Sequence, residues 1–118
     1  MIPTEAQEQR ALCTWLDLHR VCYFHVPNER RDKVRAAILK GQGVKAGVPD
    51  IVIIDPPPNE PDCPGCVVEM KRQKGGQVST RQREWLGRFE LRGWQALVCK
   101  GAREAIRALQ GLGYGRRG

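Results

Sequence analysis

Long apolar runs are missing from this 118-residue chain. None approaches the roughly 20 residues needed to cross a bilayer, which excludes a helical membrane span. A secretory layout is missing as well. Met1-Ile2-Pro3-Thr4-Glu5 opens the chain without a charged-then-apolar stretch, so the protein is expected to stay in the cytoplasm. Cysteines are few and odd in number: Cys13, Cys22, Cys63, Cys66 and Cys99 fall at irregular spacings. That suits a reducing compartment better than a disulfide framework. No internal repeat is present. Acidic residues are in the minority, and the net charge of +7 requires a positive field somewhere on the surface. Such a balance favours a polyanionic partner, either nucleic acid or an acidic membrane surface. Hydrophobic residues at 41% and charged residues at 28% argue against disorder. The length allows one domain over residues 1–118, with little room for a separate recognition domain.

What is present alternates between helix and strand signals. Thr4 followed by Gln7 forms a capping box, and Leu12, Trp15, Leu16 and His19 recur at helical spacing, which predicts a helix over 4–20. Residues 21–26 are β-rich and end at Pro27-Asn28, a turn signal. Residues 29–40 are strongly basic, with Val34, Ile38 and Leu39 spaced for a short helix that Gly41 would stop. Asp50 to Asp55 reads as a buried strand. The following segment, 56–65, holds five prolines and cannot continue a sheet. Cys66 to Lys71 is a second buried strand, and Gly75-Gly76 turns the chain. Ser79 with Gln82 is another capping box, opening a helix to about Leu91. A strand over 94–99 and a helix over 102–109 follow, and the tail from Gly111 is expected to fray. This order implies an α/β domain with a central sheet covered by helices.

Chemistry concentrates in the second buried strand. Side chains two apart in a strand project the same way, so Glu69 and Lys71 share a face. An isolated E-x-K is most often a solvated edge. Asp50 alters that balance, because it stands at the mouth of the preceding strand after the Gly47-Val48-Pro49 turn. If the two strands are neighbours, Asp50 and Glu69 converge. Two carboxylates there repel unless a cation lies between them, and oxygen ligands suit Mg²⁺ or Mn²⁺. Lys71 beside them can orient or deprotonate a water and offset charge on a phosphorane. That arrangement cleaves phosphodiesters, and the basic net charge points to nucleic acid as substrate.

Gly47-Val48-Pro49-Asp50, then Glu69-Met70-Lys71, then Ser79-Thr80-Arg81-Gln82 resembles the G-x-P-D, E-x-K and S-x-x-Q signature of the VRR-NUC family. That family lies within the PD-(D/E)xK, restriction-endonuclease-like superfamily, and the resemblance is to its stand-alone viral and bacterial type. It also takes in the opening helix, the His25-Val26-Pro27-Asn28-Glu29 segment, and the final strand and helix. The resemblance implies an αβββαβ core with a central mixed sheet flanked by helices. It implies that Asp50 and Glu69 bind the metal with the backbone carbonyl of Met70, and that Lys71 is the catalytic lysine. A glutamate of the first helix completes such sites; Glu5 fits best, with Glu8 as the alternative. Gln82 would lie near the site, although its place after Ser79 also makes it an ordinary capping partner. The resemblance further implies a homodimer that cuts four-way junctions, in a bacterial cell or a virus-infected host.

Two basic runs flank this constellation: Arg30, Arg31, Lys33, Arg35 and Lys40, and then Arg72, Lys74, Arg81 and Arg83. Charge runs are commonly solvated faces, but here their position favours phosphate contacts, with Asn28 and Ser79 as further DNA-contacting candidates. His25 reads equally well as a structural residue. Trp15, Trp85 and Trp94 are spaced as core residues and do not read as base-stacking platforms. Cys63-Pro64-Gly65-Cys66 is half a zinc site with no second pair, so it reads as a tight turn whose thiols serine could replace at little cost. A DNA endonuclease is thus the first expectation. A non-catalytic DNA-binding scaffold of the same fold and a sequence-specific restriction-type enzyme are the alternatives.

Overall fold

The computed structural model describes residues 1–27 and 33–115. The elements run α1 (Glu5–Leu18), β1 (Tyr23–His25), α2 (Lys33–Gly41), β2 (Ile51–Ile53), β3 (Cys66–Lys71), α3 (Thr80–Leu91), β4 (Gln95–Lys100) and α4 (Ala102–Gly111). The strands form one mixed sheet in the order β1-β2-β3-β4, with the first two pairings antiparallel and the last parallel. The αβββαβ core expected from the resemblance is therefore present, with α2 inserted after β1 and α4 added at the end. Among the described residues no helix is long and apolar enough to cross a membrane.

Both capping boxes form. Thr4 Oγ1 accepts from the Gln7 amide at 3.1 Å while the Gln7 side chain accepts from the Thr4 amide at 2.8 Å, satisfying two donors at the start of α1. The crossover from β3 to β4 runs through α3, as a parallel pair requires. Strand alternation divides the sheet into two faces. Ile51, Ile53, Cys66, Val68 and Met70 point to one side, where they pack with Leu12 and Leu16 of α1 and Ala105 and Leu109 of α4. Val67, Glu69 and Lys71 point to the other, towards α3. The strands over 21–26 and 50–55 are shorter than expected, at Tyr23–His25 and Ile51–Ile53, although single backbone bonds from Val26 to Asp50 and from Ile54 to Cys22 extend the pairing at either end.

Residues 112–115, at the start of the tail expected to fray, are instead packed. Tyr114 is buried, and its hydroxyl donates to the Asp55 carbonyl at 2.7 Å. The Gly and Arg residues around it conceal that one anchoring aromatic. The proline-rich loop is likewise pinned: Asn59 donates its amide to the Leu112 carbonyl at 3.0 Å and its side chain to Gly111 at 3.1 Å.

Cys63 and Cys66 are both free thiols and both buried. The Cys63 thiol donates to the Gly65 and Gly93 carbonyls at 3.2 and 3.1 Å, tying the loop to the turn before β4. Cys66 lies in the core, where burial raises its thiol pKa far above the ordinary range. Exchange for serine is therefore costly. Placing a poorly partnered hydroxyl at Cys66 costs about 1–3 kcal/mol. Thermal melting of the Cys63→Ser, Cys66→Ser protein should show a loss of several degrees, with zinc content zero before and after.

Candidate active site

The antiparallel register sets Ile51 opposite Val68, so one further step sets Asp50 opposite Glu69. The pairing is closed by the side chain itself: Asp50 Oδ2 accepts from the Met70 amide at 2.8 Å. The Asp50 carbonyl is held from the other side. It accepts from the Val26 amide at 2.8 Å and from His25 Nδ1 at 2.9 Å, and Gln9 of α1 reaches the other ring nitrogen of His25 at 3.1 Å. His25 is thus a structural residue with a purpose, since it fixes the backbone that carries Asp50. Gly47 sets the approach. Its φ is +83°, and a Cβ there would meet Arg81 Cβ at 2.8 Å, so only glycine lets the turn press against the start of α3.

Glu69 is 1% exposed and Asp50 4%. Glu69 Oε2 receives Gln82 Nε2 at 3.2 Å and faces Lys71 Nζ at 3.5 Å, whereas the buried Glu69 Oε1 has no hydrogen-bond partner among the described residues. A buried carboxylate oxygen without a partner is costly unless a cation serves it. Burial, then the neighbouring Asp50 carboxylate, push the Glu69 pKa up to about 8, with Lys71 opposing. Gln82 performs two tasks with one amide. Its oxygen accepts from the Ser79 amide at 2.9 Å to cap α3, which leaves its NH₂ for Glu69. Gly76 makes room for Lys71, since a Cβ there would lie 2.9 Å from the lysine's own Cβ.

The two glutamates of α1 are placed differently. Glu5 joins Asp50 and Glu69: one carboxylate oxygen from each lies within 4.8 Å of the others, and among the described residues no other such group of potential metal ligands occurs. Burial raises the Glu5 pKa as well. Glu8, one turn on, accepts from Gln73 Nε2 at 2.9 Å and from the Ala102 amide at 3.3 Å, where it caps α4. Met70 sends its side chain into the core, leaving only backbone beside the site.

These groups stand in a cleft of about 990 Å³ between α3 and the α2 region. Lys40, Lys45, Arg81 and Arg88 contribute charge to its walls, and Ser79 lies at its edge. Lys33, Arg72 and Lys74 are exposed but do not line it. Asn28, Arg30 and Arg31 lie outside the described residues. Lys45 and Arg88 were not anticipated. Arg88 could have been, since positions 81, 85 and 88 share a helix face. Trp85 is a correction: it is half-buried, lines the cleft and takes no part in the core cluster. Trp15 does pack on the core, and Trp94 meets Phe89 edge-on at 5.2 Å.

A mixed sheet with acidic side chains at the start of one strand and within its neighbour, a lysine two residues on and a helix closing over them defines the restriction-endonuclease-like class. Residues 3–103 match the VRR-NUC domain family. The chain therefore belongs to the VRR-NUC family, whose domain is a nuclease of that fold. A solved structure of a VRR_NUC domain protein superposes with a TM-score of 0.76 at 25% identity, covering 93% of this chain and 88% of that one. No curated protein matches the chain.

Proposed function

We propose that the protein is a Mg²⁺- or Mn²⁺-dependent endodeoxyribonuclease, comprising one domain over residues 1–118. It acts as a homodimer on branched DNA such as four-way junctions, in the cytoplasm of a bacterial or virus-infected cell. The observation that carries the metal-dependent reading is the convergence of Glu5, Asp50 and Glu69 beside Lys71, with Glu69 Oε1 buried and without a hydrogen-bond partner among the described residues. The donors are all oxygens, which fits a hard divalent ion. Asp50, Glu69, Glu5 and the Met70 carbonyl would hold it. When bound, such an ion supplies Lewis-acid stabilisation of charge on the phosphate under attack.

The chain's own groups complete the chemistry. Lys71 orients a water for attack on phosphorus and offsets the charge that develops there. As the new P–O bond forms, the bond to the leaving oxygen breaks; the attacking water gives up a proton to solvent and the departing alkoxide takes one up from solvent. Gln82 holds Glu69 in place while its carbonyl secures the helix. Ser79 Oγ accepts from the Gln82 amide at 3.1 Å, and its own O–H remains able to donate to a phosphate. Lys33, Arg72 and Lys74, with Asn28, Arg30 and Arg31, would contact the backbone further along the DNA. A two-fold dimer suits a junction with two equivalent strands.

The test is incubation with matched linear duplex, flap and four-way substrates, with Mn²⁺ or EDTA, beside sedimentation. Cleavage should require the metal, favour the four-way substrate, fall steeply with salt, and accompany twice the chain mass. Full activity in EDTA would remove the metal. A monomer cutting plain duplex at one sequence would favour a restriction-type enzyme.

A further inference from the structure

Opposite the carboxylates the cleft changes character. Trp85 lies one turn beyond Gln82 on the same face of α3, and the Arg88 guanidinium sits 4.8 Å from its ring centroid. Arg88 is only loosely held by Glu84, at 4.0 Å with both side chains about half exposed. The same cleft is also lined by the apolar Ala36 and Leu39 of α2 and by Val44, with Lys40 and Lys45 beside them. No residue of α2 is buried, so this lining has no partner in the core. The cleft thus combines a large aromatic, an apolar wall and a basic rim a few residues from a metal-binding carboxylate cluster.

Phosphate recognition by itself asks for cations and amides, and gains nothing from an apolar wall. Paired bases in a duplex show only their edges, because their π faces are covered by the neighbouring pairs. An unpaired base, by contrast, offers a face to stack and an apolar surface to bury, while its phosphate stays on the basic rim. We propose that Trp85 with Arg88 is a stacking platform for one unpaired nucleotide next to the scissile phosphate. On this account branched substrates are selected by the nucleotide that can leave its stack at the branch. The proposal rests on the nuclease reading for the position of the phosphate, and on the cleft geometry for the base.

The experiment uses the Lys71→Met chain with Mg²⁺, to slow cleavage, and measures anisotropy of a short labelled single strand. One abasic residue is then moved along that strand. At one position the abasic change should weaken binding about tenfold, as loss of one stacked base does. Adding Trp85→Ala should erase the difference between intact and abasic strands, and Trp85→Phe should restore most of it. If binding is indifferent to the abasic residue at every position, the platform is overturned, and this arm needs no change at Trp85. Cleavage of a four-way junction by the wild-type chain with Mn²⁺ is scored separately. An abasic effect without cleavage leaves the platform and removes the nuclease reading; cleavage without an abasic effect does the reverse.

Discussion

Glu69→Gln should raise the melting temperature of the EDTA-treated protein at pH 8 and yet abolish cleavage. The sign follows from the direction of the shift. A carboxyl whose folded pKa is raised, here from 4.5 to about 8, binds its proton more tightly when folded. Its penalty is absent below the unfolded value, grows between pH 4.5 and about 8, and is constant above that. The wild-type protein without metal should therefore lose stability across this window. Glutamine carries no charge to desolvate, so the variant avoids the loss, a difference on the order of a few kcal/mol or about 10 °C. A divalent cation should reverse the order, stabilising wild type more at pH 8 than at pH 6 and the variant hardly at all. Differential scanning calorimetry at the two pH values, with EDTA or Mn²⁺, reads all of this. A variant less stable than wild type at pH 8 without metal would mean that Glu69 is held by contacts and is not strained.

Lys71→Met should separate binding from turnover. The lysine is no ligand; it sits 3.5 Å from Glu69 in a cleft wall that is nearly closed to solvent. Methionine keeps the length of the stem and removes the charge. Removing a preorganised charge from such a position costs about 10²–10³ in kcat. Metal affinity should fall modestly at neutral pH, since Lys71 favours the ionised form of Glu69, and recover as pH rises. Calorimetric titration with Mn²⁺ beside single-turnover cleavage tests both halves. Near wild-type cleavage would reduce Lys71 to a packing role.

Local signals were the ones legible in the sequence. A capping box spans four residues, so Thr4–Gln7 and Ser79–Gln82 could be read directly, and both form. Strand alternation likewise placed Glu69 and Lys71 together. The meeting of Asp50 with Glu69 needed one assumption, that two consecutive strands pair, and the observed register meets it. Glu5 and Glu8 could not be separated in this way. They lie one turn apart on one face of α1, and the choice depends on where α4 begins. Gly101, with φ of +92°, delivers the Ala102 amide to Glu8 and leaves Glu5 to the site. Trp85 was misread for a related reason. Helical spacing reports that residues share a face without reporting what the face looks at, and Leu86 next to it is the residue that packs inward.

The helix α2 has nine residues and buries none of them. Isolated helices shorter than about 12–15 residues are marginal in water, so most of a helix's persistence normally comes from tertiary packing. This one draws almost none from the core. Its amide protons can therefore exchange with solvent through a local opening that leaves the sheet intact, well below the free energy of global unfolding. One wall of the cleft is thus expected to open independently, able to shift or re-form around a bulky polymer while the sheet and α1 keep the acidic cluster in place.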